Sequence, residues 1–315
     1  MDHSKNTFLV SVGIPVVKSN FLLTTIESCQ KQTYKNLEIL ILNNASTKEK
    51  GDEIESIVNG FNDNRIKYYR NEIQLPMIEN WNCVFKYAKG EFFSLLCDDD
   101  MWEPEFIQEL IFLSYKYPTT NLFHSRVLIT QKNEIKNSFY SPLCFEYENC
   151  LDFMYHRLKG WRFHFLSDFI ARTSALKEIG GFIELPDGWG SDDITWFNIA
   201  KDGGVAYSDK PLFIYNNNPE NISNSNNNNN KFESLPIYIK FVKDIISNIP
   251  INDSTDKLNK QFILNELPAY QKRYFIILTI SKFKNKKYIL KHFMPFLVFL
   301  YKGYKILSKS KFKST

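Results

Sequence analysis

Residues 91–104, which read EFFSLLCDDDMWEP, decide the fold expected for this chain of 315 residues. The apolar, β-forming start suits a buried strand, and three consecutive aspartates follow it directly. Three carboxylates at a strand end repel one another, and a hard divalent cation such as Mg²⁺ or Mn²⁺ offsets that repulsion. The alternative is a solvated turn that caps the helix after Met101, and the stretch by itself leaves both interpretations open.

Strand-like runs alternate with helical patterns along the first hundred residues. The predicted strands are residues 8–16, 37–42, 66–69 and 91–96, and the predicted helices are 19–31, 49–59, 76–88 and a segment from about 104. This alternation predicts an α/β fold with a mostly parallel, Rossmann-like sheet flanked by helices. Ligands of such sheets bind beyond the carboxyl ends of the strands, so we expect Asn43 and Asp98 to face one crevice.

A second acidic pair, Asp192 and Asp193, follows Trp189 and Gly190 at the start of a predicted helix. Carboxylates at a helix N-terminus commonly act as caps. The functional alternative is a general base that takes the proton from an attacking hydroxyl group. The pair does not indicate which aspartate would do so.

Several short motifs, taken in order, resemble the family 2 glycosyltransferases, an inverting family with the GT-A fold. The matching segments are SVGIPV (11–16), TIES (25–28), QTYKNLEI (32–39), NNAST (43–47), LCDDDMWEP (96–104), GGF (180–182), GSD (190–192) and the single residues Asn82, Ala88, Gly90, Glu91 and Tyr215. Each segment is weak evidence, but their order and spacing over residues 8–223 are specific.

The resemblance implies an inverting, metal-dependent transferase of bacterial surface-polysaccharide type. Its donor would be a nucleoside diphosphate sugar, with UDP expected, its acceptor a saccharide or lipid-linked glycan, and its cofactor Mn²⁺ or Mg²⁺. The implied roles are donor binding by Pro15, Val16, Asn43, Asn44, Asn82 and Asp98, metal binding by Asp99 and Asp100, catalysis by Asp192 or else Asp193, acceptor binding by Trp189 and Gly190, and a diphosphate contact at Asn218.

Three positions depart from the family pattern. The turn after the second strand has Asn43 and Asn44 where an aspartate is usual, although an amide can still hydrogen-bond a uracil edge. Cys97 stands where the more common metal motif opens with aspartate, and Asn218 replaces a histidine that can contact metal or diphosphate. A catalytically weak or inactive paralogue that binds nucleotide sugar is therefore the alternative function. A nucleotidyltransferase would need a glycine-rich loop after the first strand, and residues 18–20 contain no glycine.

Charge divides the chain into an acidic body and a basic tail. Residues 271–315 contain twelve Lys or Arg and no acidic residue, whereas residues 1–270 carry 27 basic and 35 acidic side chains. An acidic body argues against a nucleic-acid partner. The tail fits a basic amphipathic helix on anionic lipid, or else a helical hairpin packed on the body with its lysine stems along the surface.

The predicted organisation is a GT-A domain at 1–225, with a nucleotide-sugar half at about 1–104 and an acceptor half at about 105–225, followed by a helical basic extension at 226–315. Residues 216–230 are rich in asparagine and predict a loop or linker. Five cysteines without a paired framework favour a reducing compartment. The N-terminus lacks a signal-peptide layout, and no run of about 18 apolar residues predicts a membrane-spanning helix. We therefore expect a cytoplasmic protein, peripheral on the inner face of the cell membrane if the tail binds lipid.

Overall fold

The protein is built around one mixed β-sheet with helices on both faces. The computed structural model describes residues 8–131, 134–217, 221, 228–251 and 253–283. The strands in these residues are β1 (Val10–Val16), β2 (Leu37–Asn43), β3 (Ile66–Arg70), β4 (Phe92–Leu95), β5 (Met101–Trp102), β6 (Leu122–Gln131), β7 (Glu134–Tyr140), β8 (Tyr147–Glu148), β9 (Phe169–Arg172) and β10 (Val205–Asn217).

The helices in the same residues cover the sheet and form the C-terminal end of the described chain. They are α1 (Leu22–Gln30), α2 (Lys48–Asn59), α3 (Met77–Lys86), α4 (Phe106–Lys116), α5 (Cys150–Lys159), α6 (Thr173–Glu178), α7 (Ser191–Ala200), α8 (Asn228–Asn248) and α9 (Ser254–Phe283), with a 3₁₀ turn at Pro186–Gly188.

The strand order is β3-β2-β1-β4-β9-β6-β10-β5, with β7 beside β6 and β8 beside β10. Strands β3, β2, β1 and β4 are parallel, β9 is antiparallel to both of its neighbours, and β10 is parallel to β6. The predicted α/β fold is confirmed. Because β1 lies between β2 and β4, the chain order reverses there, and the carboxyl ends of these strands border a crevice.

Strand β2 shows why the central strands are mostly apolar. Parallel strands with helices on both faces bury every side chain, and all seven residues of β2 are buried. Successive side chains point to opposite faces, so Leu40 and Leu42 join one hydrophobic core, whereas Ile39 and Ile41 join the other. The first core is closed mainly by α3, α5, α7, α8 and α9, and the second by α1, α2 and α4.

Two local predictions are wrong. The loop predicted at 216–230 is wrong at both ends, because Asn216 and Asn217 belong to β10, where they pair with Thr130 and Gln131 of β6, and α8 already begins at Asn228. Ladder pairing overrides the low strand propensity of asparagine. Ser19 was expected to begin a helix and cap it, but α1 begins at Leu22, and the Ser19 hydroxyl donates to Glu53 at 2.7 Å.

Helices α8 and α9 form the predicted helical extension and pack on each other, with α9 also against α5 and α8 against α7. Tyr238 of α8 stacks on Tyr270 of α9 with ring centroids 5.4 Å apart, and Tyr274 meets Trp189 edge to face at 5.1 Å. Residues 284–315, which include most of the basic tail, lie outside the described residues. Among the described helices, none is both long enough and apolar enough to cross a membrane.

Candidate active site

Asp98 joins the acidic run to the loop that follows β1. Its carboxylate accepts hydrogen bonds from the backbone N–H groups of Val17 at 2.8 Å and Lys18 at 2.9 Å. Burial raises the pKa of Asp98 to about 6, and the two N–H donors partly oppose that rise. The ends of β1 and β4 are thereby held together at the crevice, as their order in the sheet predicts.

Cys97, Asp99 and Asp100 place three possible metal ligands together. One ligand atom from each, the Cys97 Sγ and a carboxylate oxygen of each aspartate, lies within 4.8 Å of the other two. Asp100 is 2% exposed, and burial together with the neighbouring Asp99 raises its pKa well above the usual range. Two carboxylates suit Mg²⁺ or Mn²⁺, the thiol adds a softer donor, and a cation would offset the carboxylate repulsion. The donor set therefore fits a divalent cation.

Asp100 is held by groups from three distant parts of the chain. Its Oδ2 accepts the Ser167 hydroxyl at 2.9 Å, and its Oδ1 accepts the backbone N–H of Asn216 at 3.3 Å. Its backbone carbonyl accepts the hydroxyl of Thr25 at 2.9 Å. Strand β10 therefore returns to the acidic run at its carboxyl end, which is why residues more than a hundred positions apart share this site.

Asn43 and Asn44 lie at this edge, but their amides bond within the protein. The Asn43 Nδ2 donates to the Gly51 carbonyl at 2.8 Å and to the Tyr68 hydroxyl at 2.7 Å. The Asn44 amide pairs with the backbone of Leu75, accepting its N–H at 2.8 Å and donating to its carbonyl at 3.0 Å. Both side chains are buried. In this structure they fix the turn after β2, and a contact with a nucleotide base stays a prediction.

The other residues predicted to bind the donor are also buried or engaged. Pro15 and Val16 end β1 within the core, and the Val16 carbonyl accepts the N–H of Asn44 at 2.7 Å. Asn82 pairs with the backbone of Phe182, accepting its N–H at 2.7 Å and donating to its carbonyl at 2.9 Å. Asn82 thus connects α3 to the segment after α6, and its role in donor binding stays a prediction.

Asp192 and Asp193 occupy different environments at the start of α7. Asp193 is bound by the Arg157 Nε at 2.9 Å and the His164 Nε2 at 2.7 Å through Oδ1, and by the Tyr238 hydroxyl at 3.1 Å through Oδ2. Burial would raise the pKa of Asp193, but Arg157 and His164 outweigh it and hold that pKa below its usual range. Burial, and then the charge of Asp193, raises the pKa of Asp192 to about 6. Asp192 can therefore take up a proton near neutral pH, whereas Asp193 is committed to a buried ion pair.

The residues predicted to contact the acceptor lie beside this helix. Gly190 precedes α7 with φ = 79°, and a Cβ there would come within 2.7 Å of the Tyr238 ring. Trp189 is partly buried against Tyr238 and Tyr274. Their role in binding an acceptor stays a prediction, and Asn218 lies outside the described residues.

Sequence reasoning missed the segment at residues 164–168. His164 binds Asp193 at one end, and Ser167 binds Asp100 near the other. Burial and the charge of Arg157 lower the pKa of His164 to about 4, so the neutral imidazole donates through Nε2 to Asp193. The available signal was the alternation of polar residues with aromatic ones in WRFHFLSD at 161–168. It does not reveal which distant aspartates these side chains contact.

Comparison with known proteins adds independent information. The model of the family described as "Glycosyl transferase family 2" matches residues 11–180. The Escherichia coli UDP-Glc:alpha-D-GlcNAc-diphosphoundecaprenol beta-1,3-glucosyltransferase WfgD is 25% identical over 242 residues, which cover 76% of this chain and 88% of WfgD. WfaP, an E. coli enzyme with the same printed activity, is 36% identical over 95 residues, 30% of this chain and 36% of WfaP. The chain thus spans about a third of the length of WfaP and of several other curated relatives.

Solved structures support the fold. S. aureus TarS 1–349 in complex with UDP-GlcNAc aligns with a TM-score of 0.62 at 16% identity, covering 86% of this chain and 80% of that one. The Pyrobaculum calidifontis mannosyltransferase PcManGT, in complex with GDP-Man and Mn²⁺, aligns with a TM-score of 0.57 at 14% identity, covering 96% and 81%. Because the family model matches more than half of the residues, this chain belongs to glycosyl transferase family 2.

Proposed function

We propose that this protein transfers a sugar from a nucleoside diphosphate donor to a hydroxyl group of an acceptor glycan, with inversion at the anomeric carbon. The acceptor oxygen forms the new bond to that carbon while the bond from carbon to the diphosphate oxygen breaks. The hydroxyl proton passes to a carboxylate of the protein, and the nucleoside diphosphate leaves with the bonding electrons. The observation that carries this proposal is the cluster of Cys97, Asp99 and Asp100 at the carboxyl edge of the sheet.

Asp99 and Asp100 are the proposed ligands of a divalent cation, Mn²⁺ or Mg²⁺. The proposal is supported by their proximity and by the buried position of Asp100, which makes an adjacent positive charge favourable. A cation held there would neutralise charge on the diphosphate leaving group. Asp98, which is tied to the loop after β1, is proposed to face the donor from the same edge.

Asp192 is the proposed general base. A base must be ionised at the working pH yet basic enough to accept a proton, and a pKa raised to about 6 satisfies both conditions. Asp193 is less suited to this role because Arg157, His164 and Tyr238 occupy its carboxylate. We propose that Trp189 and Gly190, which precede α7, border the acceptor.

A UDP-sugar is the proposed donor and a lipid-linked glycan the proposed acceptor. The printed names of WfaP and WfgD state a UDP-glucose donor and a GlcNAc-diphosphoundecaprenol acceptor, and the TarS structure contains UDP-GlcNAc. A role in surface polysaccharide synthesis follows if this chain shares that class of acceptor.

The proposed organisation is a catalytic domain at residues 1–225, divided near residue 104 into a donor half and an acceptor half, with an extension at 226–315. We also propose that the basic tail binds anionic lipid and places the protein on the inner face of the cell membrane. Twelve basic and no acidic residues in 271–315 support this. The full chain should sediment with phosphatidylglycerol vesicles but not with phosphatidylcholine vesicles, and sedimentation with neither would favour a packed hairpin.

Release of nucleoside diphosphate from UDP-glucose, UDP-GlcNAc and GDP-mannose, measured with Mn²⁺ and with or without a GlcNAc-diphosphate lipid, tests the proposed reaction. We expect one donor to be turned over by the wild type and by Asp244→Ala, which changes an exposed aspartate of α8, but not by Asp99→Ala. Binding of a nucleotide sugar without turnover on any acceptor would favour the inactive paralogue. Failure of every donor to bind or to raise the melting temperature would contradict the proposed reaction.

A further inference from the structure

We propose that Ser167 is a positioning residue that fixes the carboxylate of Asp100 and thereby sets the affinity of the site for its cation. The proposal rests on the proposed function, because it takes Asp100 to be a metal ligand. It concerns a residue outside the acidic run, contributed by a buried segment between α5 and β9.

Ser167 contacts residues on both sides of the acidic run. Its hydroxyl donates to the Asp100 Oδ2 at 2.9 Å and accepts the backbone N–H of Cys97 at 3.0 Å. Its carbonyl accepts the indole N–H of Trp102 at 2.7 Å. The serine is fully buried, so water does not readily replace these bonds. Ser167 therefore binds the turn that contains the proposed ligands at three points: its start at Cys97, the carboxylate of Asp100, and its end at Trp102.

The segment that carries Ser167 is itself fixed. The Asp168 carboxylate accepts the backbone N–H of Phe165 at 3.0 Å, and the Asp168 carbonyl accepts the N–H of Ser125 at 3.3 Å. Asp168 also contacts the His124 Nδ1 at 3.3 Å. These bonds restrict the backbone on either side of Ser167, so its hydroxyl has little freedom to move away from Asp100.

The same segment also reaches Asp193, the neighbour of the proposed general base. His164 donates to Asp193, the neighbour of Asp192, at 2.7 Å. His164 and Ser167 are three positions apart, and a chain of that length spans at most about 11 Å. The segment thus connects the proposed metal ligand Asp100 on one side with the start of α7 on the other.

Second-sphere hydrogen bonds of this kind orient a ligand and raise its affinity for metal, and removing one commonly weakens metal binding about 10- to 100-fold. With the hydroxyl removed, the Asp100 Oδ2 would lose its donor and the carboxylate could rotate away from Asp99. Saturating metal should recover turnover, because the ligands themselves remain. The signature is therefore a higher metal requirement at a nearly unchanged kcat.

Ser11 provides a matched control. Its buried hydroxyl donates to the Glu38 Oε1 at 2.6 Å and accepts the backbone N–H of Gly90 at 2.8 Å, which is the same bonding pattern. It lies in β1 opposite Glu38, five residues before the carboxyl end of the strand. Ser11→Ala should therefore lower stability much as Ser167→Ala does, without changing metal affinity.

The test measures Mn²⁺ binding by electron paramagnetic resonance of the free ion, with saturating UDP, on the full chain. We expect Ser167→Ala to bind Mn²⁺ about 10- to 100-fold more weakly than wild type, and Ser11→Ala to match wild type. Ser167→Cys, which keeps the size and a weak donor, should fall between them and covers the case in which the alanine variant does not fold.

The inference would be overturned if Ser167→Ala bound Mn²⁺ as tightly as the wild type while its melting temperature fell as in Ser11→Ala. That result would show that Ser167 contributes to stability only. In that outcome the proposed function would stand. If the wild type itself binds no Mn²⁺ in the presence of UDP, both the inference and the metal-dependent function are contradicted.

Discussion

Two buried serines each hold a carboxylate in this protein, and the two pairs differ in what balances the charge. Ser11 holds Glu38 between β1 and β2, and Ser167 holds Asp100 after β4. Glu38 has its own cation, since the Lys67 Nζ lies 2.6 Å from its Oε2. Within the described part of the chain, Asp100 makes no ion pair and instead has Asp99 beside it.

The protonation of the two carboxylates follows from this difference. Burial would raise the pKa of Glu38, but hydrogen bonds from Lys67, Ser11 and Lys89 outweigh it and lower that pKa. Burial and the charge of Asp99 act together on Asp100 and raise its pKa. The charge of Glu38 is therefore balanced within the fold, whereas a positive charge added beside Asp100 would be favourable.

The same contrast separates the neighbours Asp193 and Asp192. Asp193 is neutralised by Arg157 within the fold, whereas the raised pKa of Asp192 leaves it able to exchange a proton. Carboxylates with an internal cation are thus expected to support stability, and those without one to support binding or catalysis. Variants of carboxylates with and without an internal cation therefore test this distinction.

The largest effect is expected for Asp99→Ala. A bound metal contributes several kcal/mol to stabilising a leaving diphosphate, so its loss should lower metal-dependent turnover by about 1,000-fold or more. Glu38→Gln should retain turnover within a few-fold and lose stability instead. Rates of UDP release by the two variants test this prediction. Equal losses of turnover would show that the two carboxylates do not differ in this way.

Asp192→Asn and Asp193→Asn should fail in different ways. Loss of a general base lowers kcat by about 100- to 10,000-fold, so Asp192→Asn should be inactive but as stable as wild type. Asp193→Asn leaves Arg157 as a buried charge without its partner and should lower the free energy of unfolding by about 3–5 kcal/mol. Chemical denaturation with kinetics separates the two results, and a stable, inactive Asp193→Asn would instead make Asp193 the base.

The pH profile should show the ionisation of Asp192. The base acts when deprotonated, and its pKa is raised to about 6, so kcat/KM for the acceptor should be level above that pH. Below pH 6 it should fall about tenfold per pH unit, because the deprotonated fraction that acts as base falls in that proportion. Initial rates at saturating metal and donor would show this limb. A profile that stays level down to pH 4.5 would contradict the assignment.

The smallest effect is expected for Lys67→Met, which removes the cation of the Glu38 pair. The lysine is partly exposed, so the pair is screened by water, and a loss of about 1 kcal/mol of stability is expected. Turnover should not change, since Glu38 and Lys67 take no part in the proposed site. A thermal melt with a single activity assay suffices, and a large loss of activity at wild-type stability would show that this region contributes to the site.

Much of the fold follows from the sequence, because strands buried on both faces, such as β1 and β2, are mostly apolar, and their few polar side chains are hydrogen-bonded. Strand β10 was missed in part because polar residues interrupt it, and its pairing with β6 shifts register between Ser208 and Pro211. Such polar residues resemble a loop until the partner strand is known.

The closeness of Asp99 and Asp100 follows from their adjacency in the sequence, and their role as metal ligands stays a prediction, whereas contacts between distant positions could not be predicted. Ser167 and Asp100 are 67 positions apart, and His164 and Asp193 are 29 apart, so no local pattern links them. Asn43 and Asn44 show that a correctly predicted position does not reveal what a side chain binds. Their position at a strand end was predicted, but the hydrogen bonds that occupy their amides became visible only in three dimensions.

The most direct measurement is the dissociation constant of UDP, determined by calorimetry with and without Mn²⁺ on the wild type and Asp99→Ala. If Asp99 and Asp100 hold a cation that binds the diphosphate, Mn²⁺ should tighten UDP binding to the wild type by about tenfold or more. The same addition should leave UDP binding to Asp99→Ala unchanged. UDP binding to the wild type that is indifferent to Mn²⁺, or an equal response from the variant, would contradict a metal site at this acidic run.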